Sequence, residues 1–251
     1  MSRPTGYLAV RPNPGASLRL FCFHHAGAGA LSFARWTQVF GPEVSVLPVR
    51  LPGREARLRE PRIRDAALLM RELDEHLGPL LDEPYAFYGH SLGALIAYSY
   101  ALHHLRRGGR APQLLAAGAC SAPHVGMPML DGCGPSDDDI IGFLHHTGGM
   151  RGELAERPEW LRLTVGIIRD DLALARSLRA GPRLPLPCPV LAVAGRGDEV
   201  VPPESVGAWR DYADGGFRMA VIDGDHFFVR GSALPKLLRT ELNERLTLAR
   251  T

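Results

Sequence analysis

The feature of this chain that most restricts its fold is a serine between two glycines, with apolar segments on both sides. Residues 85–88 are typical of a buried strand, and residues 94–98 are typical of a buried helix. Between them Ser91 lies in the G-x-S-x-G spacing of a nucleophile elbow. Such a sharp turn needs neighbours without side chains, and Gly89 and Gly93 meet that need. The alternative is a tight turn with an ordinary serine, so the decision depends on whether an acid and a histidine follow.

Strand-like and helix-like segments alternate on both sides of this turn. Apolar runs predict strands at residues 18–23, 44–49, 85–88, 114–120, 189–195 and 217–222. Helical segments are predicted after the elbow and at residues 31–40, 65–81, 204–212 and 234–248. This alternation predicts an α/β protein with a mostly parallel central sheet and helices on both faces. In such sheets the functional residues lie at the carboxyl ends of the strands.

Residues 123–187 interrupt the alternation. Ser136, followed by three aspartates, predicts the start of one helix, and residues 159–179 have the period of a longer one. We therefore expect a core made of residues 1–122 and 188–251, with a helical lid inserted over the strand ends. The alternative is that these are two ordinary helices flanking the sheet.

An acid and a histidine follow the serine in a catalytic order. Ser91, Asp198 and His226 each come directly after a predicted strand, and the order Ser, Asp, His is that of the α/β-hydrolase fold. In a parallel sheet those loops share one edge, so the three side chains can converge. Ser91 is the candidate nucleophile, His226 the candidate base and Asp198 the residue that orients the imidazole. Asp223 and Asp225 are the alternative acids, although Asp225 adjoins His226 and would reach its ring awkwardly.

Acyl transfer at such a serine needs two backbone N–H groups around the developing oxyanion. One is expected from Leu92, directly after the nucleophile. The other is expected from the small residues after the first strand, where we favour Ala26, with Gly27 as the alternative. His24 and His25 are adjacent on one turn and cannot easily share a metal ion, so we interpret them as loop-shaping.

Composition narrows the class of protein. The formal net charge is only +2, which gives no global field for nucleic acid. The cysteines have no metal-ligand or disulfide spacing, so we expect no metal site and no disulfide framework. The N-terminal residues lack an apolar signal core, and no apolar run reaches the roughly 18 residues of a membrane span. We therefore expect a cytoplasmic protein.

Five segments together resemble the type II thioesterases, the stand-alone partners of polyketide and nonribosomal peptide synthetases. The segments are His25-Ala26-Gly27-Ala28-Gly29, Arg50-Leu51-Pro52-Gly53-Arg54-Glu55, Gly89-His90-Ser91-Leu92-Gly93, Gly195-Arg196-Gly197-Asp198 and Gly224-Asp225-His226-Phe227-Phe228. The resemblance extends over about residues 18–240. Its most discriminating part is Leu-Pro-Gly-Arg-Glu, and Ala28 departs from it where the family often has glycine.

The resemblance implies an α/β-hydrolase fold and hydrolysis of acyl thioesters from the phosphopantetheine arm of a carrier protein. It implies a ping-pong mechanism through an acyl-serine, without a cofactor, and a transient acyl- or peptidyl-carrier-protein partner. We expect a monomer that binds neither nucleic acid nor membrane. The alternatives are an acyltransferase, which would use the same serine, and a non-catalytic binding protein of the hydrolase fold.

Three further sets of residues are candidates for other roles. The arginines between Arg50 and Arg64 form either a docking surface for an acidic carrier protein or a solvated face. Three residues of the predicted lid are candidates for an apolar acyl pocket, and two Gly-containing pairs are candidate hinges. These are Phe143, Met150 and Trp160 for the pocket, and Gly148-Gly149 and Gly181-Pro182 for the hinges.

Overall fold

A six-stranded parallel sheet forms the centre of the described part of the protein. The computed structural model describes residues 6–126, 136–146 and 157–248. The strands are β1 (Leu18–Phe23), β2 (Val44–Pro48), β3 (Tyr85–His90), β4 (Leu115–Gly118), β5 (Val190–Gly195) and β6 (Phe217–Ile222). Their order is β2-β1-β3-β4-β5-β6, and every neighbouring pair is parallel. The predicted strands and the parallel sheet are confirmed.

Helices cover both faces of the sheet, as predicted. They are α1 (Ala66–Leu77), α2 (Leu92–Arg106), α3 (Asp137–His146), α4 (Pro158–Arg179), α5 (Pro203–Gly207) and α6 (Ala233–Leu248). Alternate residues of β1 enter opposite cores because side chains alternate along a strand. Phe21 and Phe23 join the core with α1 and α2, whereas Leu20 and Cys22 join the core with α6. None of the helices in the described ranges has the length and apolarity needed to cross a membrane.

The helix predicted at residues 31–40 is wrong. The structure has two short 3-10 helices there, Ala30–Phe33 and Trp36–Gln38. Phe33 is the last residue of the first of these helices, and Trp36 is the first residue of the second. Their rings pack edge to face at 5.0 Å, and both contact the ring of Tyr88 on β3. Aromatic packing against the sheet therefore decides the local conformation.

The segment predicted as a lid contributes α3 and α4 in its described part. Ser136 and Asp139 form reciprocal hydrogen bonds that cap α3, which explains the predicted helix start. The division of the chain into a core and an inserted lid stays a prediction. Of the two candidate hinges, Gly148-Gly149 lies outside the described residues.

The ends of the strands bring the candidate site residues to one edge of the sheet. Phe23 at the end of β1 pairs with Gly89 near the end of β3, so the loop after β1 lies beside the serine turn. Gly195 at the end of β5 pairs with Ile222 at the end of β6. Asp198 and His226 follow these two strands, so their loops are neighbours at the same edge.

Candidate active site

Ser91 occupies a strained turn between β3 and α2. Its backbone has φ 54° and ψ −117°, a region that residues with a side chain rarely adopt. A methyl group on Gly89 would overlap the carbonyl of Gly93, and one on Gly93 would overlap the carbonyl of Phe23. Both glycines are therefore required by close backbone contacts, and the predicted elbow geometry is formed.

Gly93→Ala is expected to destabilise the protein by about 3 kcal/mol, because the methyl group would overlap backbone atoms that cannot rotate away. Urea unfolding measures the change in the free energy of unfolding. Gly142→Ala is the matched control: Gly142 is an exposed residue of α3 with open space at its Cβ position, so alanine should stabilise by about 0.5–1 kcal/mol. Equal effects of the two substitutions would contradict this account of the elbow.

His226 and Asp198 form a buried pair. The His226 Nδ1–H donates to Asp198 Oδ2 at 2.9 Å, and Asp198 Oδ1 accepts the N–H groups of Val200 and Val201, each at 2.9 Å. Burial alone would raise the pKa of Asp198. The hydrogen bond and charge of His226, with the two N–H groups, outweigh burial and lower that pKa below its usual value. The carboxylate is therefore set to orient the imidazole.

The two alternative acids have other partners. Asp223 is exposed and pairs with Arg196 at 2.9 Å. Asp225 Oδ1 accepts the N–H of Phe227 at 2.8 Å. Of the three candidate acids, Asp198 is therefore the one that the structure places against the ring of His226.

His90, the second residue of G-H-S-L-G, holds the histidine loop in place. Its Nε2 lies 2.7 Å from the carbonyl oxygen of His226, and its Nδ1 lies 2.6 Å from the hydroxyl of Tyr88. Because a carbonyl only accepts, Nε2 carries the proton and Nδ1 accepts from Tyr88. Burial lowers the pKa of His90 well below 6.5, so this neutral tautomer is retained. Sequence reasoning missed this role; the available signal was a tyrosine two residues earlier on the same strand face.

Ser91 and His226 line one cavity of about 260 Å³ together with Ala26 and Gly27. Most of its remaining wall is apolar and comes from α3, α4 and the loop after β5. The larger apolar side chains of the wall are Phe143, Leu144, Ile168, Leu172, Val200 and Phe227, and its polar members are His25, Thr164 and Arg230. The prediction for Phe143 is confirmed, whereas Trp160 is 48% exposed and lies under the guanidinium of Arg157. Met150 lies outside the described residues.

The loop after β1 leaves one of the two candidate N–H donors available. The N–H of Gly27 donates to Asp171 Oδ2 at 2.8 Å, so it is engaged by a carboxylate of α4. Ala26 also lines the cavity and remains the candidate from this loop. Leu92 is the first residue of α2, where backbone N–H groups have no partner within the helix.

In the described part of the chain, no group of three or more His, Cys, Asp or Glu side chains is placed to hold a metal ion. Cys22, Cys120 and Cys188 are buried free thiols. The absence of a metal and a cofactor from the reaction stays a prediction.

Comparisons with known proteins now identify the family. The sequence model of the family described as "Thioesterase domain" matches residues 18–242. The chain belongs to this family. It is therefore an enzyme that hydrolyses thioesters, and the resemblance seen in the sequence is confirmed.

Named relatives cover nearly all of this thioesterase. The gramicidin S biosynthesis protein GrsT of Aneurinibacillus migulanus is 31% identical over 89% of this chain and 87% of its own. RedJ, a thioesterase from the prodiginine pathway of Streptomyces coelicolor, has a TM-score of 0.82 at 33% identity, over 97% and 96% of the two chains. YbtT, a type II thioesterase from the yersiniabactin NRPS/PKS pathway, has a TM-score of 0.82 at 26% identity, over 97% and 98%. The α/β-hydrolase fold is confirmed.

The Leu-Pro-Gly-Arg-Glu segment of the thioesterase turns inward. Arg54 and Arg57 are buried: Arg54 pairs with Asp171, and Arg57 pairs with Glu60 and lies over the ring of Tyr7. For these two arginines, both a carrier-docking surface and a solvated face are wrong. An arginine cluster in a sequence usually indicates a solvent-exposed surface, but here Arg54 pairs with the buried carboxylate of Asp171 and Arg57 packs on the buried ring of Tyr7.

The histidines before the candidate oxyanion loop are buried and neutral. His24 Nδ1 lies 2.9 Å from the carbonyl oxygen of His25, which supports the loop-shaping interpretation. Burial and the positive charge of Arg54 lower the pKa of His24 to about 3. Burial also lowers the pKa of His25 well below 6.5, assisted by neighbouring positive groups.

These histidines predict loss of stability in acid. The unfolded chain binds protons near pH 6.5, whereas folded His24 resists protonation down to about pH 3. Stability is therefore full above pH 6.5 and falls below it, by up to about 1.4 kcal/mol per pH unit for each such histidine. Urea unfolding between pH 7 and pH 5 measures the slope, which His24→Gln should flatten. The exposed His145→Gln is the control, and an unchanged slope in His24→Gln would refute the assignment.

Proposed function

We propose that this thioesterase is an editing, type II enzyme of polyketide or nonribosomal peptide biosynthesis. It removes acyl groups from the phosphopantetheine arm of carrier proteins. The observation that carries the proposal is the Asp198–His226 pair beside a strained serine, at one apolar cavity under α3 and α4. The names of GrsT, RedJ and YbtT support the class of pathway.

The proposed first half-reaction forms an acyl-serine. Ser91 Oγ attacks the thioester carbonyl while His226 Nε2 accepts its proton, and Asp198 stabilises the resulting imidazolium. The N–H groups of Ala26 and Leu92 bind the oxyanion of the tetrahedral intermediate. The C–S bond then breaks, and His226 returns the proton to the departing pantetheine thiol.

The second half-reaction releases the free acid. Water enters where the thiol left, and His226 removes its proton as the water oxygen attacks the acyl-serine carbonyl. Collapse of the second tetrahedral intermediate breaks the bond to Ser91 Oγ, which regains a proton from His226. Every proton moves through residues of the chain, so the proposal requires no cofactor.

The largely apolar wall of the cavity suits an acyl chain. The cavity volume of about 260 Å³ and the apolar wall favour a short or medium aliphatic acyl group. The cover of this cavity in the described residues comes from α3 and α4, within the predicted inserted unit of residues 123–187. We propose that these residues act as the substrate-binding cover of the enzyme.

The test follows the fate of the acyl group from acyl-pantetheine and from acyl-carrier protein. Equimolar free acid and free thiol, unchanged by added thiol or alcohol acceptors, would support hydrolysis. Transfer to the added acceptor in preference to water would favour the acyltransferase alternative. Absence of turnover, combined with no labelling of Ser91 by an active-site serine probe, would favour a binding protein and end the proposal.

A further inference from the structure

A buried ion pair joins the cover of the cavity to the loop that holds the proposed oxyanion donor. Asp171 on α4 is 1% exposed and Arg54 is 5% exposed. They form two parallel hydrogen bonds, Nη2 to Oδ1 at 2.8 Å and Nη1 to Oδ2 at 3.0 Å. A buried ion pair is costly to desolvate and is weak evidence for a contribution to stability. Its position therefore needs a separate explanation.

The remaining hydrogen bonds of this pair go to the loop after β1. Asp171 Oδ2 accepts the N–H of Gly27 at 2.8 Å, and Arg54 Nη1 donates to the carbonyl oxygen of Ala28 at 3.0 Å. Gly27 has φ +77°, and a methyl group on it would come within 2.7 Å of Ile168 Cγ1. The pair thus holds both sides of a tight turn that is pressed against α4.

Glu55 extends the same arrangement. Its Oε1 accepts the N–H of Leu31 at 2.9 Å, and its Oε2 accepts from Arg50 Nε at 2.9 Å. Glu55 has φ 51°, a strained conformation for a residue with a side chain. Arg54 and Glu55, which are consecutive residues of the Leu-Pro-Gly-Arg-Glu segment, therefore hold the loop of residues 26–31 at two points, Arg54 together with Asp171 and Glu55 by its own hydrogen bond.

These hydrogen bonds also restrict the backbone of Ala26. The hydrogen bond to Gly27 N–H fixes the peptide plane that follows Ala26, which is adjacent to the plane that carries the Ala26 N–H. It also keeps the Gly27 N–H from competing for the oxyanion. A lone carboxylate so close to the donor would oppose the developing negative charge. Arg54 balances that charge, so the carboxylate can hold the loop without repelling the oxyanion.

We infer that Asp171, paired with Arg54, is a positioning residue that fixes the Ala26 N–H toward the oxyanion. It contacts the loop and not the reacting atoms. The inference rests on the proposed function, because it assumes that Ala26 is the donor. It assigns to the Leu-Pro-Gly-Arg-Glu segment a role in transition-state binding rather than in carrier docking.

The test compares two neighbouring aspartates of α4. Asp171→Asn is expected to lower kcat about 10- to 100-fold with KM within twofold. The reason is that a misplaced Ala26 N–H weakens binding of the oxyanion in the transition state and has little effect on binding of the substrate. Asp170→Asn is the control, since Asp170 pairs with Arg62 outside the loop and should leave both constants unchanged. Assays are run well below the melting temperature of each variant. An unchanged kcat in Asp171→Asn would overturn the inference.

A second variant separates positioning from stability. Arg54→Met combined with Asp171→Leu removes both buried charges, so the melting temperature should exceed that of Asp171→Asn. The hydrogen bonds to Gly27 N–H and to the Ala28 carbonyl oxygen are still lost, so kcat should remain low. Recovery of kcat together with the melting temperature would show a purely structural role and overturn the inference.

A third readout does not depend on thioester hydrolysis. A fluorophosphonate probe also builds a negative oxygen beside Ser91, so the labelling rate should fall in Asp171→Asn and not in Asp170→Asn. If the wild type labels normally but cleaves no acyl-pantetheine, the proposed function fails while this comparison still decides the inference. Equal labelling rates in the wild type and Asp171→Asn would refute the positioning role.

Discussion

Ser91→Ala is expected to reduce kcat for acyl-pantetheine hydrolysis by at least about 10⁴-fold, because no other group in the proposed mechanism forms the acyl-enzyme. Release of free thiol under saturating substrate measures the loss. Ser99→Ala, at a partly buried serine farther along α2, is the matched control and should keep full activity. A Ser91→Ala variant with more than about a tenth of wild-type kcat would reject the nucleophile assignment, since triad knockouts lose far more than tenfold.

The same position predicts a separate effect on stability. Alanine keeps a side chain at φ 54°, whereas glycine adopts this conformation freely. Ser91→Gly should therefore be as inactive as Ser91→Ala but more stable, by about 1 kcal/mol in the free energy of unfolding. Equal stabilities would mean that the elbow stores little strain.

Asp198→Asn is expected to lower kcat by about 10³- to 10⁴-fold. The amide oxygen can replace Oδ1 as the acceptor of the Val200 and Val201 N–H groups. The NH₂ group then faces His226 Nδ1, which must accept, and the imidazole proton moves to Nε2. That tautomer cannot take the proton of Ser91, so the base is lost although the fold is retained.

Asp223→Asn provides the control for this prediction. Asp223 directly follows β6, and the sequence analysis gave it as an alternative to Asp198 as the catalytic acid. In the structure it is exposed and pairs with Arg196. Its substitution should leave kcat within twofold of wild type. Steady-state kinetics on both variants, with circular dichroism to verify folding, decides the assignment. A large loss in Asp223→Asn with little loss in Asp198→Asn would reverse it.

The sheet and the placement of the candidate site residues at one edge of it were predictable because their signals are local. Buried parallel strands are short apolar runs, and Ser91, Asp198 and His226 each follow one of them. Hydrophobic spacing was a weaker guide where aromatic residues pack closely. Phe33 and Trp36 fit a helical period, but they form separate 3-10 turns against Tyr88.

The positioning contacts could not be predicted because they join distant and ordinary residues. Arg54 and Asp171 are 117 positions apart in a chain that has many other arginines and several other aspartates, and no spacing identifies them as partners. The hydrogen bond from His90 to the backbone of His226 spans 136 positions. Its acceptor is a backbone carbonyl group, which every residue has, so no residue type in the sequence indicates it. Such pairs become visible only when the fold has placed both strand ends at one edge.

Helix α4 both lines the cavity and holds the neighbouring loop, so the two features cannot be engineered separately. Thr164, Ile168 and Leu172 line the cavity, while Asp171 on the same helix holds the loop beside it. A chimera that imports this helix to change chain-length preference would also import or discard the partner of Arg54. Without that partner, the charge of Arg54 would be buried alone beside the candidate oxyanion loop. Designers should therefore exchange α4 and residues 50–55 as a single cassette.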